Sequence, residues 1–202
     1  MLIIGLCGGT GSGKGTVADL FKIYAVPSID SDKLYHELTG RNCPLTLKLA
    51  EIFGESVIGA DGSLNRKALS SIVFAPGNEN ALQTLNSVTH RAIIEESEKI
   101  IDKHRASGAP AVIFDAPLLF ESGFNEKCDV IVSVIADDRL RMARIMRRDS
   151  IDEQMARRRI QSQKSNEFLI RNSDYVIINN GDFTALKDEV DRVAKNIFYR
   201  GK

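Results

Sequence analysis

Residues 8 to 16 read Gly8-Gly9-Thr10-Gly11-Ser12-Gly13-Lys14-Gly15-Thr16 and follow the apolar run Leu2–Leu6 after a single cysteine. A helix-compatible segment, Thr16–Phe21, comes next. A glycine-rich loop that ends in Gly-Lys between a strand and a helix is typical of a nucleotide phosphate-binding loop. Its glycines permit tight turns with inward N–H groups, and the helix N-terminus and Lys14 complement phosphate charge. We therefore expect Gly9 to Thr16 to bind a nucleoside triphosphate.

Position 15 departs from the usual loop, in which a hydroxyl residue follows the lysine and binds Mg²⁺ directly. Gly15 has no side chain, and Thr16 lies one residue further along. One step along a helix rotates a side chain by about 100°, so we expect Thr16 to contact the α-phosphate instead of the metal. The Gly-Lys-Gly-Thr ending also occurs in adenylate kinases. The loop thus predicts ATP-dependent phosphoryl transfer but does not fix the acceptor.

The composition excludes several other classes of protein. Among 202 residues, 27 are Lys or Arg and 27 are Asp or Glu, so no net charge favours nucleic acid or a membrane surface. No stretch approaches the ~20 apolar residues of a membrane span, and the short apolar start does not resemble a signal sequence. Three widely spaced cysteines argue against disulfides or a zinc site and favour a reducing cytoplasm.

Short apolar runs alternate with helical patterns along the chain. This order predicts an α/β fold, a five-stranded parallel sheet with helices on both faces. Ligand-binding residues are then expected just after the carboxyl ends of the strands. The predicted strands are Leu2–Leu6, Val26–Ile29, Ala111–Phe114, Val130–Ile135 and Tyr175–Ile178.

Two intervals between predicted strands are too long for simple crossovers. We predict one domain over residues 1–202, with a core formed by 1–30, 111–136 and 174–202. Residues 31–110 would be a wholly helical insertion that binds the acceptor, with helical periodicity clearest over Asn80–Arg105. Residues 137–173 would be a lid, because Arg139 to Lys164 contains nine basic and three acidic residues, a net charge of +6.

Two carboxylates are candidates for chemistry. Phosphoryl transfer needs a carboxylate near the accepting hydroxyl, and Asp32 follows the second predicted strand. Asp32 also precedes the helical pattern Lys33–Leu38, so an N-cap is an equal alternative. Asp115 closes the third predicted strand, as the acidic residue of a Walker B strand does; it would hold Mg²⁺ through water, or cap the next turn.

The lid arginines have helical spacing. Arg144 and Arg148 are four residues apart, and Arg141 lies three before Arg144, so the three share a helix face. Arginine forks match phosphate oxygens. The three histidines are scattered and lack the spacing of metal ligands.

Taken together, these motifs resemble the dephospho-CoA kinase family over the whole chain. The most specific are Asp61-Gly62-Ser63-Leu64-Asn65-Arg66-Lys67-Ala68-Leu69 and Pro117-Leu118-Leu119-Phe120-Glu121. Further matches are the phosphate loop, Ile29–Asp32, Phe53-Gly54, Val73-Phe74, His90, Arg144–Asp149 and Asp174–Gly181.

The resemblance implies an activity and roles for individual residues. ATP, with Mg²⁺, would phosphorylate the ribose 3′-hydroxyl of dephospho-CoA, the last step of coenzyme A synthesis. The implied base is Asp32; Lys14, Arg144 and Arg148 would bind the phosphates. The remaining implied residues are Asn179, Asn180 and Gly181 near adenine, and Arg66, His90, Pro117, Leu118 and Leu119 at the acceptor.

Two residues depart from the family pattern, which usually has Ser at position 15 and Pro after His90, where this chain has Arg91. An adenylate- or nucleotide-type kinase is the alternative, although it leaves residues 61–69 and 117–121 unexplained. A non-catalytic GTPase-type switch predicts an Asn-Lys-x-Asp signature, which is absent. We expect a monomer or a small homo-oligomer.

Overall fold

The five apolar runs form one parallel sheet, in a computed structural model that describes residues 1–199 apart from the side chain of Glu79. Four strands begin at the predicted residue. The strands are β1 (Leu2–Cys7), β2 (Ser28–Asp30), β3 (Ala111–Asp115), β4 (Val130–Ile135) and β5 (Tyr175–Ile178). Their order in the sheet is β2-β3-β1-β4-β5.

The second strand is shifted from its prediction. The apolar run predicted Val26–Ile29, but β2 begins at Ser28, so this prediction was wrong at its N-terminal end. Proline has no N–H to give to a ladder and restricts the preceding residue. The Pro27 carbonyl still accepts a hydrogen bond from the Ile113 amide at 2.8 Å. Pro27 therefore leads into the strand from outside it.

Helices fill the intervals between strands. The first five are α1 (Lys14–Phe21), α2 (Ser31–Leu38), α3 (Pro44–Phe53), α4 (Arg66–Val73) and α5 (Glu79–Ala106). The others are α6 (Asp138–Asp149), α7 (Glu153–Gln161), α8 (Asn166–Arg171) and α9 (Phe183–Tyr199). The long helical pattern predicted at Asn80–Arg105 is confirmed as α5, within one residue at each end.

One unit of the structure comprises Met1–Ile29 and the described residues from Lys103 onward, and it contains most of the sheet. Helices α1 and α9 bury Phe21 and Val190 against β1, whose Ile4 and Leu6 point to that side. Successive residues of a strand face opposite sides of the sheet. On the other side, Phe114 stacks on Phe124 with ring centroids 3.8 Å apart. Apolar side chains therefore cover both faces, and the strand ends remain for the loops.

The other unit, Asp30–Asp102, contains α2, α3, α4 and most of α5 around a core of its own. Leu49, Val57 and Leu69 are buried there. The prediction of a wholly helical segment holds except for an isolated antiparallel bridge between Ile58 and Leu64. None of the described helices is both long enough and apolar enough to cross a membrane. The division into core, acceptor-binding insertion and lid stays a prediction.

Candidate active site

The phosphate-loop residues connect β1 to α1 and turn into the helix at Gly13. Its φ of 93° is left-handed, which glycine adopts without the usual steric penalty. A side chain there would also collide with the amide of Asn179, whose Nδ2 donates a hydrogen bond to the Ser12 carbonyl at 2.7 Å. Backbone conformation and space therefore both require glycine at position 13.

The start of α1 presents backbone N–H groups without protein acceptors. The Val17 amide makes the first helical bond, to the Gly13 carbonyl at 3.2 Å. No side chain caps the helix, and none of the residues described accepts a hydrogen bond from the amides of Lys14, Gly15 or Thr16. Unpaired amides at a helix N-terminus favour an anion. This geometry suits a phosphate group, as the motif predicts.

Lys14 and Asp115 form an ion pair next to this helix start. Asp115 is the last residue of β3, and its side chain is 7% exposed, against 16% for Lys14. A charge this poorly solvated is costly unless another charge compensates it. The carboxylate that the sequence singled out at the end of β3 thus contacts the lysine of the phosphate loop.

Two other loop positions differ sharply in their surroundings. The Ser12 hydroxyl is buried and has no hydrogen-bond partner among the described residues. Gly15 is exposed, and a Cβ added there would meet no atom within 4 Å. The structure therefore has room for a side chain at position 15, so sterics do not explain the missing hydroxyl.

Helix α6 directs three arginines at the phosphate loop, and they share one face of the helix, as their spacing predicts. Arg144 donates to the Gly11 carbonyl at 3.3 Å and to the Asn179 carbonyl at 3.1 Å. Arg141 donates from Nε to the Thr10 carbonyl at 3.0 Å. Arg148 reaches the hydroxyl of the same threonine at 3.3 Å. The three guanidinium groups therefore converge on residues 10 and 11 of the loop.

Arg141 and Arg148 have different electrostatic environments. Arg141 is buried, and this burial lowers the pKa of its guanidinium, which nevertheless stays protonated at neutral pH. Its Nη1 donates to the Asp138 carboxylate at 3.0 Å. Arg148 forms two hydrogen bonds to Asp149, at 2.7 and 3.0 Å, and this contact holds the pKa of the Asp149 carboxyl below its usual range. Arg159 pairs with the same carboxylate.

Gln163 is a contact that the sequence reasoning missed. It follows α7, and its Oε1 accepts hydrogen bonds from the Thr10 amide at 2.8 Å and from Arg141 Nη2 at 3.2 Å. A glutamine after a run of arginines gives no periodic signal. The only available indication was its position in the predicted lid.

The residues after β5 lie beside the same loop. Asn179 is buried and contacts both Ser12 and Arg144, as described above. Asn180 is exposed, and its Oδ1 accepts a hydrogen bond from the Asp137 amide at 2.9 Å. Gly181 follows at the surface before α9. The placement of Asn180 and Gly181 at the adenine ring stays a prediction.

Asp32 lies in the second unit. The hydrogen bonds at the N-terminus of α2 test the two roles predicted for it, catalytic base and N-cap. The N-cap is Asp30, whose Oδ1 accepts hydrogen bonds from the amides of Asp32 and Lys33 at 2.9 and 3.0 Å. The alternative that Asp32 caps the helix is therefore wrong. Asp32 is exposed in the first turn, and its carboxylate has no partner among the described residues.

Arg66, at the start of α4, belongs to a small cluster within that second unit. Its guanidinium lies 5.5 Å from the centre of the Tyr35 ring and 3.2 Å from His36 Nε2. It also donates to the Thr39 hydroxyl at 3.4 Å. The side chain is exposed. His36, one of the three scattered histidines of the sequence, is thus a partner of Arg66.

The other predicted acceptor residues differ in accessibility. His90 is half-buried on α5, and Pro117 is half-buried after β3. Leu118 is 48% exposed, whereas Leu119 is 0% exposed. A Cβ at Gly5 of β1 would lie 2.8 Å from a methyl group of Leu119. Leu119 is therefore a core side chain in this structure and supports its neighbours instead of presenting an apolar surface.

Among the residues described, no three His, Cys, Asp or Glu side chains cluster in a way that would hold a metal ion. The phosphate loop, Asp115, Arg144, Arg148 and the Asn180 segment lie together in the first unit. Asp32, Arg66 and His90 belong to the second.

A family profile and curated relatives identify the same family. The family profile described as dephospho-CoA kinase matches residues 2–185. A dephospho-CoA kinase of Corynebacterium efficiens is 37% identical over 100% of both chains. The crystal structure of a Thermus thermophilus protein superposes with a TM-score of 0.81 at 28% identity, covering 100% of this chain and 98% of that one. A dephospho-CoA kinase from Campylobacter jejuni gives a TM-score of 0.69 at 25% identity, covering 99% and 98%. This chain therefore belongs to the dephospho-CoA kinase family.

Proposed function

We propose that this enzyme transfers the γ-phosphoryl group of ATP to the ribose 3′-hydroxyl of dephospho-CoA and so forms coenzyme A. The observation that supports this most directly is the match to the dephospho-CoA kinase family over residues 2–185, with curated relatives aligned along the whole chain. The free amides at the start of α1 supply the phosphate-binding geometry that the reaction needs.

The chemistry assigns each charged group a separate task. The acceptor oxygen forms a bond to the γ-phosphorus, the bond from phosphorus to the β–γ bridging oxygen breaks, and ADP leaves. Lys14 and Arg144 compensate the charge on the phosphate oxygens, which is where catalysis of phosphoryl transfer mainly lies. Both side chains already lie at the loop.

Asp32 is the base in this proposal and accepts the proton of the attacking hydroxyl. A carboxylate that caps a helix is already committed to backbone amides, but here Asp30 does the capping. The Asp32 carboxylate is exposed and retains all its acceptor positions for a hydroxyl. Asp32 lies two residues beyond the end of β2, and ligands bind beyond the carboxyl ends of the strands in parallel α/β sheets.

The residues at the loop fit a Mg²⁺ ion that has few protein ligands. Mg²⁺ prefers six oxygens, gives up water reluctantly and is often held by one carboxylate plus substrate phosphates. Asp115 is the carboxylate in reach of Lys14, and position 15 offers open space without a hydroxyl. Asp115 would hold the ion through water. The bound ion would neutralise phosphate charge during transfer.

The acceptor-side assignments rest on exposure and chemistry. Arg66 presents an exposed guanidinium, which suits an anionic group of the acceptor. Leu118 presents an apolar surface and His90 a half-buried imidazole. We place the reaction in the cytoplasm, in keeping with three free thiols, and the enzyme as a monomer or small homo-oligomer.

The test is the identity of the product. The purified protein is incubated with ATP, Mg²⁺ and either dephospho-CoA or AMP, and the products are weighed by mass spectrometry. The proposal predicts a mass increase of one phosphoryl group on dephospho-CoA. ADP formation with AMP, together with unchanged dephospho-CoA, would instead identify a nucleotide kinase.

A further inference from the structure

Three separate groups of Thr10 are bound by side chains of residues 137–173. Its amide donates to Gln163, its carbonyl accepts from Arg141, and its hydroxyl accepts from Arg148. The neighbouring positions are equally tight, since a Cβ at Gly9 would collide with the Arg141 guanidinium and one at Gly11 would lie 2.7 Å from the Arg141 carbonyl. The arginine-rich segment, residues 137–173, therefore contacts the phosphate loop at Thr10 through three side chains.

Gln163 differs from the other two residues because it accepts hydrogen bonds at Thr10. One oxygen bridges a loop N–H and the guanidinium of Arg141. Arg141 is 2% exposed. Removing the acceptor of a donor buried to this extent lowers the stability of the folded protein. Without Gln163, the Thr10 amide and the Nη2 group of Arg141 would both lack a protein acceptor.

We propose that Gln163 is a positioning residue for phosphoryl transfer. Its amide oxygen fixes Thr10 and Arg141 relative to each other, and it does so without adding negative charge beside a loop that receives phosphates. This inference rests on the proposed function and extends that function to a residue whose side-chain contacts are with Thr10 and Arg141.

The neutrality of glutamine is essential to this role. A glutamate has the same shape and would pair with Arg141 more strongly. It would also place a full negative charge within hydrogen-bonding distance of the loop. This carboxylate and the phosphates of a bound nucleotide would repel each other strongly where water screens them little. Glutamine therefore supplies an acceptor oxygen without a charge. Glutamate supplies the oxygen but adds a charge, and methionine, an apolar side chain of similar length, is uncharged but lacks the oxygen.

The experiment compares Gln163→Met and Gln163→Glu with the same two substitutions at Gln161. Gln161 is an exposed matched control at the end of α7, two residues away. Three quantities are measured: the melting temperature, the dissociation constant for ATP with Mg²⁺ in the absence of an acceptor, and kcat with dephospho-CoA.

We expect Gln163→Met to lower kcat by about tenfold or more while the ATP dissociation constant changes by less than about threefold, because alignment of the loop matters most in the transition state. Gln163→Glu should keep the parental melting temperature and weaken ATP binding by about tenfold or more. That penalty should shrink as the salt concentration rises from about 50 to about 500 mM. Both Gln161 variants should behave like the parent.

Several results would overturn the proposal. They are a folded Gln163→Met enzyme with parental kcat, a Gln163→Glu enzyme that binds ATP as tightly as the parent at low salt, and equal losses at position 161. If Gln163→Met does not fold, ATP binding by Gln163→Glu decides the question. If the parent binds ATP but leaves dephospho-CoA unchanged, the proposed function fails, and ATP binding by Gln163→Glu still decides the role of Gln163.

Discussion

The carboxylates at the start of α2 allow the same chemical change to be made at two positions with opposite expected results. Asp30→Asn and Asp32→Asn each replace a carboxylate by an amide, two residues apart. Asp30 Oδ1 accepts two backbone hydrogen bonds as the N-cap, whereas the Asp32 carboxylate makes none with the described residues. The first residue is therefore structural, and the second is available for catalysis.

The expected magnitudes follow from these contacts. Asparagine caps helices about as well as aspartate, so Asp30→Asn should keep stability and turnover; Asp30→Ala should cost about 1 kcal/mol, or a fall of about 2–4 °C in melting temperature for a chain of this length. Asp32→Asn removes no hydrogen bond and should leave the melting temperature unchanged. It should lower kcat by about 100-fold or more, as expected for loss of a general base, with little change in ATP affinity.

The assay is steady-state turnover with dephospho-CoA, alongside thermal unfolding and ATP binding for each variant. A folded Asp32→Asn enzyme with near-parental kcat would refute the role of this carboxylate. Equal losses of turnover in Asp30→Asn and Asp32→Asn would show that the geometry of the first turn of α2, and not a base at position 32, controls the rate.

Three further predictions concern the first unit. Arg144→Ala should lower kcat more than it weakens ATP binding, with partial rescue by Arg144→Lys; equal activity of Arg144→Ala and the parent would remove Arg144 from the mechanism. Gly15→Ser should lower the Mg²⁺ concentration for half-maximal activity, since a side chain fits there, and Asp115→Asn should raise it; titration of activity with Mg²⁺ that shows unchanged midpoints would contradict both. Burial raises the pKa of the Cys7 thiol to about 11 from its usual 9. The thiol therefore contributes fully to stability below pH 9, and this contribution is lost as the pH rises through 11. Thermal unfolding between pH 9 and 11 should show a shallower loss of stability in Cys7→Ala than in the parent.

The fold was predictable where one local signal dominates. The runs Val130–Ile135 and Tyr175–Ile178 became strands with the predicted bounds because every residue in them except Ser133 is β-branched or aromatic. Cys7 and Asp115 extend their strands by one residue, since pairing with a neighbouring strand does not stop where the apolar run ends. Pro27 interrupts the second run, so hydrophobicity alone overstates the length of that strand.

The site was predictable only in part, for a related reason. The spacing of Arg141, Arg144 and Arg148 is enough by itself to place them on one helix face, and all three do reach the loop. The partners of Thr10 are different, because Gln163 lies 153 residues away in sequence. Capping by Asp30 instead of Asp32 depends on where the strand ends, which the apolar pattern does not define to within a residue or two.

The central claim is that the acceptor is dephospho-CoA, and a competition assay tests it most directly. The enzyme receives ATP labelled in the γ-phosphoryl group, with Mg²⁺ and equal concentrations of dephospho-CoA and AMP, and the label is followed into each product over time. We predict that the label enters dephospho-CoA at the ribose 3′-oxygen and that AMP remains unlabelled. Label found mainly in ADP formed from AMP would contradict the claim.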